Sequence, residues 1–139
     1  MFFNRRVAVA VIGLSLAAQS GETFKARLSA LAADAKTRAD LAGSGSASAV
    51  LTGAKLGITG SFEGLRSAAT AASLHNGVAA GVKGPAIGDL TISKATSGTI
   101  TGSIELTPQQ VTSLRKGGLY VEIHSEKAPD GVLWGWLLK

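Results

Sequence analysis

The sequence predicts a single all-β domain, and three observations point there. Several segments alternate apolar and polar residues with period two, as half-buried strands do. Glycine reaches 18 of 139 residues while aromatics make up only 5%, a pairing that suits short strands and tight turns. Turn signals recur at Gly64, Asn76-Gly77, Gly84-Pro85, Ser97-Gly98 and Pro129-Asp130-Gly131, which cut the chain into pieces of strand length. A length of 139 residues leaves no room for two full cores.

The first twenty residues are expected to be a targeting segment. Met1 to Arg6 is a short basic head, Val7 to Ala18 an uncharged run, and Ala18-Gln19-Ser20 a small-residue cleavage site. The apolar run falls short of the ~20 residues a membrane span needs, so residues 1–20 read as a cleaved secretory signal and 21–139 as the domain. No membrane span is expected after cleavage, and the mature protein is expected to be periplasmic or secreted. Losing Arg5 and Arg6 leaves 14 − 2 = 12 basic residues against 9 acids, a mature charge of +3.

Taken in order, Phe24, Ala26, Leu28 and Ala30 alternate with Lys25, Arg27 and Ser29, a first strand. Residues 43–51 and 54–62 are Gly-, Ser- and Thr-rich strands split by Thr52-Gly53, and residues 32–42 read as an irregular crossover. Further strands are predicted over Ile87–Ile92, Thr99–Leu106, Leu119–His124 and Val132–Lys139. His75 and His124 each fall at the end of a predicted strand. One short helix is predicted near 108–116. Thr107 is placed to cap it, Pro108 occupies its first position, Gln110 completes a capping box, and Gly117-Gly118 stop it.

The absence of cysteine excludes disulfides, cysteine metal sites and a thiol nucleophile. Basic residues are scattered, with only Arg115-Lys116 adjacent, so no nucleic-acid surface is expected. Neither a Gly-x-Ser-x-Gly elbow nor an H-E-x-x-H motif occurs. Gly84 leads into Pro85, which has no N–H to offer a phosphate. The chain is therefore expected not to be an enzyme.

A family pattern runs through these elements. Phe24-Lys-Ala-Arg-Leu28, Phe62-Glu-Gly-Leu65, Ser73-Leu-His75-Asn-Gly77 and Gly81-Val-Lys-Gly84-Pro85 resemble the CHRD domain, a module common in exported bacterial proteins. So do Leu106-Thr107, Leu114 to Gly118, Leu119 to His124 and Ala128-Pro-Asp-Gly131 into Gly135. The resemblance spans residues 23–138. It implies a Greek-key β-sandwich similar to the copper–zinc superoxide dismutase architecture, but not that enzyme's activity. Two departures stand out. The family often has His-x-His where this chain has Ser73-Leu-His75, and its polar closing strand is replaced by Gly131-Val-Leu-Trp-Gly-Trp-Leu137.

Two candidate sites follow. Alternation puts Ser73 with His75, and Tyr120 and Glu122 with His124, so the only two imidazoles meet over a polar surface if their strands adjoin. Two such nitrogens and a nearby carboxylate suit copper or zinc; the bland alternative is that both histidines only brace strand ends. Dismutation of the copper–zinc kind needs more histidines than two. On the closing strand the resemblance assigns Leu133, Gly135 and Leu137 to the core. Val132, Trp134, Trp136 and Leu138 then form an apolar face, which Tyr120 extends toward His124. Either that face is an interaction surface for a protein or envelope partner or a second copy, or residues 32–42 fold over it and the tryptophans are core. The sequence thus reads as an exported non-enzymatic binding or envelope-associated module. The alternative is a periplasmic metal-binding protein using His75 and His124.

Overall fold

The computed structural model describes residues 21–79 and 81–139; the expected signal segment, residues 1–20, lies outside the described residues. Eight strands follow in order: β1 (Glu22–Ala30), β2 (Ser44–Thr52), β3 (Lys55–Glu63), β4 (Ala69–Asn76), β5 (Ala86–Ile92), β6 (Gly98–Glu105), β7 (Leu119–Ser125) and β8 (Leu133–Trp136). The alternation in β1 works as expected: Phe24, Ala26 and Leu28 are buried while Lys25 and Arg27 face water. Between β2 and β3, Thr52 pairs with Lys55. Gly53 adopts φ 63°, the left-handed geometry that a tight hairpin needs at its first turn residue.

The single helix, α1 (Pro108–Arg115), lies between β6 and β7. Thr107 Oγ1 accepts from the Gln110 N–H at 3.2 Å, and Gln110 Oε1 accepts from the Thr107 N–H at 2.9 Å. This is the expected capping box. Leu114 pins the helix to the core, and the chain leaves it at Gly117 with φ 76°. The 31–43 crossover is irregular, as expected, and one turn inside it is held by Asp34. Asp34 Oδ1 accepts from the N–H groups of Lys36 and Thr37, both at 2.9 Å. Among the described residues no helix is long and apolar enough to cross a membrane.

All eight strands are antiparallel and close into one barrel in the order β1-β2-β3-β6-β5-β4-β7-β8. The expected sandwich of two separate sheets is replaced by this closed cylinder. The reason is that both would-be open edges are hydrogen-bonded. Ser29 and Ala30 pair with Trp134 and Leu133, and an isolated bridge joins Lys25 to Leu138. Across the other seam Thr91 and Ile92 pair with Thr101 and Ile100. The β3–β4 connection passes over β6 and β5, and the β6–β7 connection over β5 and β4.

The barrel interior is filled from every strand by aliphatic residues, Phe24 and Phe62. Leu119, Val121, Ile123, Leu133 and Leu137 are all fully buried in it. The opposite face of β7 is also covered: Tyr120 is 0% exposed and Glu122 3%. A carboxylate that deep is costly unless it is paired.

Candidate metal centre

β4 and β7 run antiparallel with Ala71 opposite His124, Ser73 opposite Glu122 and His75 opposite Tyr120. On the outer face this makes His124 the next same-side residue along β7 from Glu122, and His75 its diagonal neighbour on β4, within reach of long side chains. β8 adds a third column, with Trp134 opposite Glu122 and Trp136 opposite Tyr120. The two histidines therefore do meet over one surface. A donor atom from each of His75, Glu122 and His124 lies within 4.8 Å of the others.

The hydrogen bonds assign the tautomers. His75 Nδ1 lies 2.9 Å from the Gly84 carbonyl and His124 Nδ1 lies 2.7 Å from the Pro129 carbonyl. A carbonyl only accepts, so each Nδ1 carries the hydrogen and each neutral ring presents a lone pair at Nε2. His75 Nε2 accepts from Ser73 Oγ at 2.7 Å and stands 3.8 Å from Glu122 Oε1. His124 Nε2 stands 3.2 Å from the same oxygen. An imidazole lone pair facing a carboxylate oxygen is acceptor against acceptor, and needs a proton or a cation between them.

Lys83 meets the other side of the carboxylate. Its Nζ is 3.2 Å from Glu122 Oε2 and donates to the Asp130 carbonyl at 2.8 Å. Oε2 nevertheless receives no aligned hydrogen bond. Burial raises the pKa of Glu122. The His124 hydrogen bond and the Lys83 charge more than offset that, leaving the carboxyl below its ordinary value. The hydrogen bond with Glu122 lifts His124 above its ordinary value, against the pull of desolvation.

The aromatic residues sit beside this cluster as a stack rather than an open patch. Tyr120 lies flat against His75 at 4.9 Å between ring centroids, with Trp136 at 4.5 Å and Trp134 at 5.7 Å. The Gly84 N–H donates to the Tyr120 hydroxyl at 2.9 Å. Trp136 rests on Gly77, where even a methyl group would meet the indole at 2.6 Å. Trp134 and Trp136 are half-buried. Two members of the expected exposed face are thus buried. Tyr120 is covered by the indoles and the Gly84 segment. Val132, at 0% exposed, joins the core, because β8 and its alternation begin only at Leu133. Residues 31–41 do approach Trp134: they form with it a cleft of about 600 Å³.

Sequence reasoning paired the two histidines but named no carboxylate, and it missed Lys83. The shared face of Tyr120, Glu122 and His124 was the available signal for Glu122. Nothing local marked Lys83, which arrives from the β4–β5 loop. Across the whole chain, the family model described as the CHRD domain matches residues 24–137. No curated protein and no solved structure gives a significant match.

Proposed function

This chain belongs to the CHRD domain family, and from that premise we propose that it is an exported, non-enzymatic binding module for a divalent transition metal, copper or zinc, held by His75, Glu122 and His124. The observation that carries this reading is the convergence of two Nε2 lone pairs and a buried carboxylate oxygen. Both imidazoles are oriented through Nδ1 by backbone carbonyls, the usual support of metal-ligating histidine. Ligand atoms around tetrahedral zinc stand about 3.3 Å apart, given metal–ligand lengths near 2.0–2.1 Å. The 3.2 and 3.8 Å separations to Glu122 Oε1 lie close to that, and with all three donors within 4.8 Å of one another the two imidazoles must draw together to close around an ion. Two nitrogens and one oxygen suit zinc or Cu(II), and one position stays open for water or a further ligand. The strand order, with its two connections passing over neighbouring strands, supports the Greek-key relation to the copper–zinc dismutase architecture.

Calorimetric titration of metal-free protein with zinc tests the reading. One equivalent is expected. His75→Ala and His124→Ala should each weaken binding by about tenfold or more, and binding should fall as pH drops through the His124 value, which the fold raises above its ordinary 6.5, because a proton then holds its Nε2. Zinc uptake that both substitutions leave unchanged, or no uptake at all, overturns it.

A second reading rests on a separate observation. Val78 is 72% and Val82 46% exposed, and a side chain at Gly77 would meet both Trp136 and the Val82 carbonyl. Those valines, with the edge of Trp136, make an apolar patch suited to a protein or envelope partner or a second copy.

A further inference from the structure

The wall between the buried cluster and the 600 Å³ cleft is one residue thick. Lys83, Pro129 and Gly131 line the cleft, and each also touches the cluster. Lys83 pairs with Glu122 Oε2, and the Pro129 carbonyl holds His124. A side chain at Gly131 would come within 3.2 Å of the Glu122 carboxyl, and Gly131 has φ 125°. The carboxylate is itself buried, and the lack of a side chain at Gly131 leaves only backbone between it and the cleft on that side. Three of the nine acids in the chain, Asp34, Asp40 and Asp130, line the same cleft, although the chain carries a net charge of +5.

We propose that this cleft is the route by which the metal reaches His75, Glu122 and His124, and that Lys83 is the resident cation it must displace. The proposal rests on the metal reading above and specifies how that site is loaded: the metal is exchangeable cargo rather than a permanent structural ion. The Lys83 ammonium occupies the cleft side of the only carboxylate in the cluster. While it is there it neutralises Glu122 and repels an incoming divalent ion. Its side chain is 48% exposed, so it swings into water with little desolvation to reverse, and its second tie is a single carbonyl bond to Asp130. The three carboxylates outnumber the two lysines, Lys83 and Lys127, that also line the cleft, and once Lys83 swings away they draw cations toward that point. Neither Asp40 nor Asp130 has a side-chain hydrogen bond or ion pair among the described residues, so both charges remain available.

The experiment is stopped-flow and equilibrium zinc binding to the whole mature protein. Lys83→Gln should raise zinc affinity by at least about tenfold, the scale on which two positive charges a few ångströms apart repel near a protein surface. Asp40→Asn with Asp130→Asn should slow association several-fold at low salt, leave dissociation unchanged, and lose its effect at high salt. Circular dichroism identical to wild type confirms that these exposed or half-exposed substitutions leave the fold intact. Unchanged or weaker affinity in Lys83→Gln, with wild type binding zinc through its histidines, overturns the displacement. An unaltered association rate in the double variant overturns the route. Absence of zinc binding in both wild type and Lys83→Gln rejects the metal reading itself. Binding in Lys83→Gln alone means that zinc does not displace the lysine in the natural protein, and overturns the proposal.

Discussion

Replacing Glu122 by glutamine isolates what the buried carboxylate does in the metal-free protein. Glu122 and its partner His124 are shifted in opposite senses. The pKa of His124 is raised in the fold, so the stability from its pairing is complete below its ordinary value of 6.5 and lost as pH rises through the folded value. Glu122 is lowered, so its contribution is complete above its ordinary 4.5 and lost as pH falls through the folded value. Both are in force between pH 4.5 and 6.5. Removing one partner of a fully buried pair costs about 3–5 kcal/mol. Here the His124 side chain is 23% and Lys83 48% exposed. Water recovers part of that cost, and the figure falls to the roughly 1.5–3 kcal/mol of a hydrogen bond to a charged group. For a domain of this length the midpoint should drop by about 5–10 °C at pH 5.5. At pH 8.5 His124 is closer to neutral and the glutamine amide can donate to its Nε2, so the loss should shrink below about 1 kcal/mol. Thermal melts by circular dichroism, with chelator present, read both values. An equal loss at the two pH values would mean that the His124 pair contributes nothing beyond packing and the Lys83 contact, and no loss at pH 5.5 would mean that the ion pair is absent.

Ser73→His places a third imidazole opposite Glu122, beside His75. It should raise copper affinity by about tenfold or more, the scale on which residues around a metal's ligands act; weaker binding, measured by competition with a chelator, would mean that the position cannot reach the ion. Val78→Ser with Val82→Ser removes exposed apolar surface without touching the core, so the thermal midpoint should stay within about 2–3 °C. Loss of self-association in sedimentation would assign the patch to an interface between copies, and unchanged sedimentation would remove that occupant.

Most strands were legible because they rest on local alternation; β4, whose burial does not alternate, carries no such signal beyond Ser73 and His75. β1 and β7 have the expected inward sets, and the capping box of α1 needs only residues 107–110. What alternation does not reveal is register between distant strands. Tyr120, Glu122 and His124 share a face in the sequence alone. That Ser73 stands opposite Glu122, and not opposite Tyr120 or His124, follows from the β4–β7 ladder; a two-residue slip keeps every face assignment, yet the one that sets Ser73 opposite Tyr120 carries His75 away from Glu122. Closure of the barrel was illegible for the same reason. It depends on the short β1–β8 and β5–β6 seams. Val132 was misplaced because strand alternation was extended one residue into the Gly131 turn.

The apolar closing strand and the charged cluster belong to one arrangement. Trp134 stands in register with Glu122, and Trp136 with Tyr120, which in turn stacks on His75. Polar side chains at 134 and 136 would bring water to the column next to the carboxylate. Indoles displace it, and an ion pair out of water is both stronger when satisfied and costlier when not. Glu122 is therefore held in a setting that demands a cation and accepts several: the proton on His124, the ammonium of Lys83, or a metal ion. The first two are built into the chain and keep the carboxylate satisfied when no metal is bound. Folding then does not depend on the metal, whereas a cluster of this depth without them would leave a bare carboxylate in the metal-free state. The same two cations set the threshold a metal must exceed, so the tryptophans that dry the site also strengthen its selection for an ion of higher charge than theirs.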